Sequence, residues 1–267
     1  MIAERASARS RMKGGLRRGA YLLPSLFTIG NMLLGFYAIV CGLEGQFRKA
    51  ALAVFVAGVL DMLDGRIARM TGTGSDFGKE YDSLADVITF GLSPALLCYL
   101  WGLRAFAEDS WLLCVFYMVC AATRLARFNV QKRVVDSRFF VGLPMPAAAG
   151  AICSLLFFAP EYSADVKVFM QVVVAIALLL IGVLMVSTFR YKSFKSFDLR
   201  RRWSYRAFVP FAAILLVIVF LPRATFLAIA VLYTLSAPLA TVISRLRRPH
   251  APRAEQPPPP PPAEARP

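Results

Sequence analysis

Four aspartates in an otherwise apolar part of the chain are the residues best suited to chemistry. Asp61 and Asp64 are three residues apart and Asp82 and Asp86 are four apart, so each pair shares one face of a helix. Carboxylates inside an apolar span are costly and usually mark a functional site that faces a wet cavity. The sequence between the pairs, MTGTGSDFG, is typical of a turn. We therefore predict a helix hairpin whose carboxylate pairs face each other.

Four clustered carboxylates cannot all stay ionised unless cations bind or some of them take up protons. Oxygen ligands without His or Cys favour hard divalent ions, so we predict Mg²⁺ or Mn²⁺ as cofactor, with two ions expected. Two such ions are a known device for displacement at phosphorus. Gly65 leaves room for a ligand beside the helix backbone, and Arg69 carries a fork of donors that suits phosphate.

A function from another class also explains the carboxylates. A cation-coupled membrane transporter would use the aspartates as an ion path. That hypothesis does not account for Gly65, Arg69 and the glycine-rich turn together. The residue inventory excludes two further classes of site, because His250 is the one histidine of the chain and lies in its tail. A Ser-His-Asp triad and a histidine-bound zinc are therefore not expected. The five cysteines form no CxxC pair.

The elements that position these residues are predicted to be transmembrane helices. The chain has 267 residues, of which 58% are hydrophobic, and a helix needs about 20 apolar residues to cross a bilayer. The sequence predicts an all-α integral membrane protein with about eight spans. We assign them to residues 22–43, 50–69, 84–103, 110–123, 141–160, 168–188, 207–221 and 224–244.

Lysine and arginine are distributed unevenly between the two ends of these spans. With a cytoplasmic N-terminus and alternating spans, all but five of the 31 basic residues fall on the cytoplasmic side. The five are Arg48, Lys49, Arg104, Lys167 and Arg223. This asymmetry follows the positive-inside rule, so both termini are predicted to be cytoplasmic. Because the net charge of +15 is dispersed among loops, we predict a lipid bilayer rather than a nucleic acid as partner.

Three segments outside the spans complete the predicted organisation. Residues 1–21 form a basic cytoplasmic N-terminal segment, and 189–206 form a basic cytoplasmic loop. Residues 245–267 form a Pro-rich cytoplasmic tail, which its composition predicts to be disordered. The expected location is the cell inner (cytoplasmic) membrane, crossed several times, with the active site facing the cytoplasm.

The aspartate region resembles the signature of the CDP-alcohol phosphatidyltransferase family, D-x2-D-G-x2-A-R-x8-G-x3-D-x3-D. All eight fixed positions and every spacing match. They are Asp61, Asp64, Gly65, Ala68, Arg69, Gly78, Asp82 and Asp86. Further stretches resemble the phosphatidylserine synthase branch of this family: LLPSLFTIGNMLLGF, EYDSLADVITFGLSPALL, RLARFNV and FVGLPMPAAA. One departure is Ser25, where relatives often have Asn.

The resemblance implies a fold and a set of site residues. It implies a six-helix catalytic core, here 22–188, around a cavity open to the cytoplasm, usually in a homodimer; two extra helices would occupy 207–244. Asp61, Asp64 and Asp82 would bind metal, and Asp86 would bind metal and act as the catalytic base. The residues implied to contact CDP-diacylglycerol are Ser25, Thr28, Gly65, Arg69 and Ser75.

The branch-like stretches imply transfer of a phosphatidyl group from CDP-diacylglycerol to L-serine, which gives phosphatidylserine and CMP. Glycerol 3-phosphate or an inositol phosphate is the alternative acceptor within the family. The carboxylate of serine needs a cation, and the loop predicted after the fourth span offers candidate acceptor-binding residues. These are Arg124, Arg127 and Asn129. Ordinary positive-inside charge explains the two arginines equally well.

Overall fold

The computed structural model of the chain describes residues 26–71, 76–131, 139–158, 164–192 and 221–246. Within these ranges the chain is helical apart from one pair of three-residue strands. The helices are α1 (Leu26–Leu43), α2 (Phe47–Thr71), α3 (Asp76–Phe106), α4 (Trp111–Gln131), α5 (Met145–Phe158), α6 (Ala164–Val186) and α7 (Pro222–Leu246). The strands are β1 (Phe139–Val141) and β2 (Arg190–Lys192). A short 3₁₀ turn, Glu108–Ser110, precedes α4.

The prediction of a helical membrane protein is confirmed. Five of the described helices, α1, α3, α4, α6 and α7, are long and apolar enough to cross a bilayer. Helix α2, with 25 residues, is also long enough to cross a bilayer, but it carries the first aspartate pair. Helix α5 is shorter, with 14 residues, than the span predicted at 141–160. Residues 207–220 of the span predicted at 207–221 lie outside the described residues.

The pair of short strands was not predicted. Strands β1 and β2 are antiparallel, with Phe140 opposite Tyr191. Directly after β1 the backbone of Gly142 has a φ of +79°, where a Cβ would meet the carbonyl oxygen of Met185. The Gly142 N–H donates to the carbonyl of Phe189 at 2.8 Å. Glycine therefore lets the chain turn closely against the end of α6 before it enters α5.

Helix α3 changes its hydrogen-bonding pattern just after the second aspartate pair. The helix is α-helical over Asp76–Asp86 and widens to a π-helix over Val87–Leu92. Pro94 follows and, as a proline, has no backbone N–H to donate within the helix. The Tyr117 hydroxyl of α4 donates to the carbonyl of Phe90, within the π-helical stretch, at 3.1 Å. This hydrogen bond connects the interrupted part of α3 to α4 and favours one register of these two helices.

Helices α1 and α3 approach each other closely through glycine and hydroxyl groups. A Cβ on Gly35 would lie 2.5 Å from Thr89 Oγ1, so only glycine fits there without displacement. The Thr89 hydroxyl donates to the carbonyl of Asn31 at 3.1 Å, and the Ser93 hydroxyl donates to the carbonyl of Gly35 at 3.0 Å. Small and hydroxyl-bearing residues are common at such contacts in membranes because they allow backbones to approach. This contact determines how far α1 lies from the second aspartate pair.

Helix α5 lies between α2 and α7 in the core. Its buried face combines small residues, Ala148, Ala149 and Ala151 among them, with larger apolar ones. On the neighbouring helices, the ring of Phe55 in α2 stacks on that of Phe226 in α7, with centroids 4.7 Å apart and planes 17° apart. This stack places α7 beside the helix that carries the first aspartate pair.

The close approach of α1 and α3 gives a test by substitution. We expect Gly35→Ala to destabilise the protein by about 1–3 kcal/mol, because the added methyl group overpacks a tight contact. Thermal unfolding in detergent measures the change. Gly58→Ala is the matched control, since a Cβ there would meet its nearest neighbour, Phe90, at 3.9 Å. Equal unfolding midpoints for the two variants would contradict the assigned packing.

Candidate functional site

The first and second aspartate pairs meet across the hairpin of α2 and α3. Carboxylate oxygens of Asp61, Asp64 and Asp82 all lie within 4.8 Å of one another. Asp64 is buried, with 4% of its surface exposed, and the other two are half-buried. We call these three residues the carboxylate cluster. The structure therefore contains the predicted facing arrangement for three of the four aspartates, Asp61, Asp64 and Asp82.

Asp86 lies one helical turn beyond Asp82 and contacts α1. The side-chain amide of Asn31 donates to Asp86 Oδ1 at 3.3 Å. Asn31 is fully buried, and its Oδ1 accepts no hydrogen bond from the described residues. The charges of Asp61, Asp64 and Asp82 all act on Asp86. Asp86 therefore belongs to the same site, and Asn31 holds its side chain from the side of α1.

Thr28 lies one turn before Asn31 and faces the first aspartate pair. Its hydroxyl donates to Asp64 Oδ2 at 3.5 Å, and the residue is 4% exposed. Thr28 was predicted to contact the CDP-linked lipid. Its position beside Asp64 places the hydroxyl at the edge of the carboxylate cluster. Helix α1 thus presents two polar side chains, spaced by one turn, to the two aspartate pairs.

The three candidate acceptor-binding residues lie in the last turns of α4, not in a loop. The predicted fourth span, 110–123, was too short, because α4 extends to Gln131. Arg124 is 7% exposed and acts electrostatically on both Asp86 and Asp61. Its guanidinium carbon lies 5.2 Å from the ring centroid of Phe128, and its Nε has no acceptor among the described residues. Arg124 is thus a buried cation whose charge interacts with those of the aspartates.

Arg127 and Asn129 make contacts that connect helices. Arg127 is close to the end of α6, where its Nη1 donates to the carbonyl of Val186 at 2.9 Å. The amide of Asn129 donates to the Ser83 hydroxyl of α3 at 2.9 Å. Asn129 therefore supports the part of α3 between Asp82 and Asp86. The structure brings Arg124 toward the aspartates and places Arg127 against α6.

The predicted CDP-lipid residues are only partly described. Gly65 follows Asp64 in α2 and is half-buried. Ser25 and Ser75 lie outside the described residues, and so does the side chain of Arg69. Asn31, by contrast, is a site residue that the sequence reasoning missed. Its spacing of three residues from Thr28 was the available signal, because a polar pair on one face of an apolar helix indicates an interior partner.

The donor set of this site consists of oxygen. The carboxylate cluster, the Thr28 hydroxyl beside Asp64 and the Asp86 carboxylate held by Asn31 supply oxygen ligands, with no sulfur or imidazole among them. Hard divalent cations prefer such ligands, so the residues fit Mg²⁺ or Mn²⁺. The arrangement also suits a reaction in which negative charge develops near a base, since a carboxylate and a cation lie side by side.

The fold and the site thus define a class of protein: helical membrane proteins with an aspartate-bearing helix hairpin. Residues 21–189 match the CDP-alcohol phosphatidyltransferase family. The matched part contains the whole carboxylate cluster, Asp86 and Arg124. The chain belongs to the CDP-alcohol phosphatidyltransferase family, as its signature indicated.

Individual relatives carry a more specific name. A CDP-diacylglycerol–serine O-phosphatidyltransferase of Helicobacter pylori is 37% identical over 193 residues, which are 71% of this chain and 78% of the relative. A protein of the same name from Bacillus subtilis is 32% identical over 65% of this chain and 91% of its own length. Another from Methanocaldococcus jannaschii is 33% identical over 58% of this chain and 70% of its own length.

The contact between Asn31 and Asp86 gives a test of the site. We expect Asn31→Leu to lower the rate of CMP release from a CDP-linked lipid about tenfold, because a hydrogen bond to a charged group contributes about 1.5–3 kcal/mol. Steady-state kinetics of CMP release measures the effect.

Thr89→Val is the matched control for this variant. It keeps the side-chain volume and removes the hydroxyl that donates to the Asn31 carbonyl, but leaves the Asn31 amide in place. We expect lower thermal stability with a rate within about twofold of the unmodified protein, since only a neutral hydrogen bond is lost. If both variants lost activity equally, Asn31 would be acting through helix packing alone.

Proposed function

We propose that the protein transfers a phosphatidyl group from CDP-diacylglycerol to L-serine, giving phosphatidylserine and CMP. The observation that carries the proposal is the buried Arg124, whose charge interacts with that of Asp86, because an amino acid acceptor needs a cation near the base that activates its hydroxyl. The names of the relatives support the same acceptor. The family membership supports the CDP-linked lipid as donor.

In this proposal Asp61, Asp64, Asp82 and Asp86 hold divalent cations, Mg²⁺ or Mn²⁺, with two ions as the expected number. Oxygens of Asp61, Asp64 and Asp82 lie within 4.8 Å of one another, and like charges at this separation require compensation. The chemistry that the bound ions supply is neutralisation of the pyrophosphate and of the departing CMP. Thr28 and Gly65 then face the donor substrate, together with Ser25, Arg69 and Ser75.

Asp86 acts as the general base in the proposed reaction. The serine hydroxyl oxygen attacks the phosphorus that bears the diacylglycerol, and the bond from that phosphorus to the CMP oxygen breaks. The hydroxyl proton passes to a carboxylate oxygen of Asp86. Asn31 donates to Asp86 Oδ1, which orients the carboxylate. The other carboxylate oxygen of Asp86 is thereby left to receive the proton.

Arg124 binds the acceptor carboxylate in this proposal. A guanidinium matches a carboxylate through paired N–H donors, and the Nε of Arg124 has no acceptor among the described residues. Asn129 acts indirectly, because it holds Ser83 next to Asp82. Arg127 donates to the carbonyl of Val186 through its Nη1, so its remaining donors are those left for the acceptor.

We also propose where in the membrane the reaction takes place. The acyl chains stay in the bilayer while the nucleotide enters the polar cavity between the helices. The cavity opens to the cytoplasm, which the positive-inside asymmetry supports. The protein then lies in the inner membrane as a homodimer, with both termini cytoplasmic and eight spans.

Identifying the acceptor separates this proposal from its closest alternative. We expect purified protein with CDP-diacylglycerol and Mn²⁺ or Mg²⁺ to release CMP when labelled serine is present, and to form labelled phosphatidylserine. Glycerol 3-phosphate in a parallel reaction should give no CMP above background, because Arg124 suits a carboxylate and a phosphate would need more cations. CMP release with glycerol 3-phosphate alone would refute the serine acceptor. Ion flux in vesicles without CMP release would favour the transporter.

Substitution of the base tests the proposed mechanism. We expect Asp86→Asn to abolish turnover, a loss of at least about a hundredfold, because general bases typically contribute that much or more. Fluorescence-detected size exclusion checks that the variant folds. Asp76→Asn is the matched control on the same helix: Asp76 is exposed and pairs with Lys79 at 2.8 Å. Residual turnover of Asp86→Asn near that of Asp76→Asn would exclude Asp86 as the base.

A further inference from the structure

The first three turns of α3 have an apolar face that lies outside the aspartate site. Its side chains are spaced by four and three residues and form one line along the helix: Phe77, Tyr81 and Leu84. At about 100° per residue, this line lies about 150° around the helix from Asp82 and Asp86. The segment Asp76–Asp86 therefore faces the aspartate site on one side and is apolar on the opposite side. We call Phe77, Tyr81 and Leu84 the apolar line.

The apolar line is open to the surroundings of the protein. Phe77 is 78% exposed and Leu84 is 64% exposed. The rings of Phe77 and Tyr81 are stacked, with centroids 6.0 Å apart and planes 5° apart. Two parallel rings and a leucine on one helix face form a continuous apolar surface, and its contact with water is unfavourable. A surface of this kind indicates an apolar partner.

The length of α3 indicates that this partner is the bilayer. The helix has 31 residues, Asp76–Phe106, whereas about 20 residues are enough to cross the hydrocarbon core. Residues 87–103 carry no charged side chain, so they are the part of α3 that fits the core. Charged residues come before this part, with Asp76 and Lys79 in the first turn. The segment that carries the apolar line therefore lies at the level of the lipid headgroups.

A second copy of the chain fits the apolar line less well than lipid does. Interfaces between proteins bury about 800 Å² on each partner, and an aromatic side chain buries about 150–250 Å². Two aromatic rings and one leucine are therefore too few for such an interface by themselves. An exposed ion pair, between Lys79 Nζ and Asp76 Oδ1 at 2.8 Å, also lies within one turn of Phe77. Aromatic residues on one face and charges on the other are typical of the boundary between headgroups and acyl chains.

We propose that the apolar line binds the bilayer at the boundary between headgroups and acyl chains, and that it presents the donor lipid to the aspartate site. A lipid whose acyl chains pack against Phe77 and Tyr81 has its phosphates at the level of this segment. Asp82 and Asp86 lie on the same segment, so the pyrophosphate reaches them by lateral movement around α3, without leaving the membrane. This inference rests on the proposed function for its donor substrate, and it names the surface over which that donor arrives.

Photo-crosslinking tests which partner covers the apolar line. The full chain with Phe77→p-benzoylphenylalanine is reconstituted in vesicles of phosphatidylglycerol and phosphatidylethanolamine and irradiated. We expect adducts with phospholipid, which mass spectrometry identifies. Lys79→p-benzoylphenylalanine is the matched control, because Lys79 is also exposed but lies on the polar face. It should give at least about fivefold less lipid adduct. Adducts of twice the chain's mass, adducts within the chain, or equal lipid adducts at both positions would overturn the proposal.

A double variant, Phe77→Gln with Tyr81→Gln, tests the presentation of the donor. We expect the KM for long-chain CDP-diacylglycerol in vesicles to rise about fivefold, because apolar contact with the bilayer is lost. The kcat should stay within about twofold, since the aspartates are untouched. A dihexanoyl donor dissolved as monomers reaches the site from water, so its KM should change less than about twofold. The unfolding midpoint in detergent should change little, because Phe77 is exposed and Tyr81 is only half-buried.

Phe77→Leu with Tyr81→Leu is the conservative control for the kinetics. It keeps the surface apolar and should leave the KM for the long-chain donor within about twofold of that of the unmodified protein. An equal rise in KM for both donors, or a rise in the leucine variant as large as in the glutamine variant, would overturn the presentation of the donor. Absence of CMP release in the unmodified protein would refute the proposed function and the presentation of its donor. The crosslinking result decides the lipid-binding surface separately.

Discussion

Repulsion among carboxylates is the constraint on which the rest of the structure depends. Asp61, Asp64 and Asp82 bring oxygens within 4.8 Å of one another inside a helix bundle. Two like charges about 4 Å apart repel by about 4 kcal/mol at an effective dielectric of about 20. Such a cluster persists only if neighbouring helices hold the hairpin closed and compensate its charge. Helix α1 supplies hydrogen-bond donors and α4 supplies a cation, so each has an electrostatic role besides its packing.

The bundle is held in register by tyrosine hydroxyls that donate to helix carbonyls near prolines. In α7, Pro238 has no N–H to give to the carbonyl of Thr234, and in α3 the carbonyl of Phe90 lies in the π-helical stretch just before Pro94. A tyrosine hydroxyl from another element donates to each of them. Apolar packing between membrane helices is weakly specific, whereas an unsatisfied carbonyl is costly where water is absent. Each tyrosine therefore selects one register, which neither the hydropathy nor the length of the helices would do.

The parts of the site that could be predicted from the sequence are those set by local spacing. The aspartate pairs lie within one hairpin, so helix periodicity and a glycine-rich turn were enough to place them face to face. Asn31 meets Asp86 from 55 residues away, and no local pattern contains that contact. Strands β1 and β2 are likewise distant in sequence and only three residues long. Helix α4 was predicted too short because apolarity falls at Arg124, whose charge is compensated by distant aspartates.

The same compensation creates a conflict at the base. A guanidinium in direct contact with a carboxylate stabilises its charged form and makes it a weaker acceptor of protons. If Arg124 turned fully onto Asp86, it would offset the repulsion in the cluster and weaken the proposed base. A base next to an acceptor cation therefore requires that the cation be held at a distance. The ring of Phe128 lies on one side of Arg124, with its centroid 5.2 Å from the guanidinium carbon. A rigid aromatic neighbour can hold a cation in this way because it attracts the cation without adding a further full negative charge to the site.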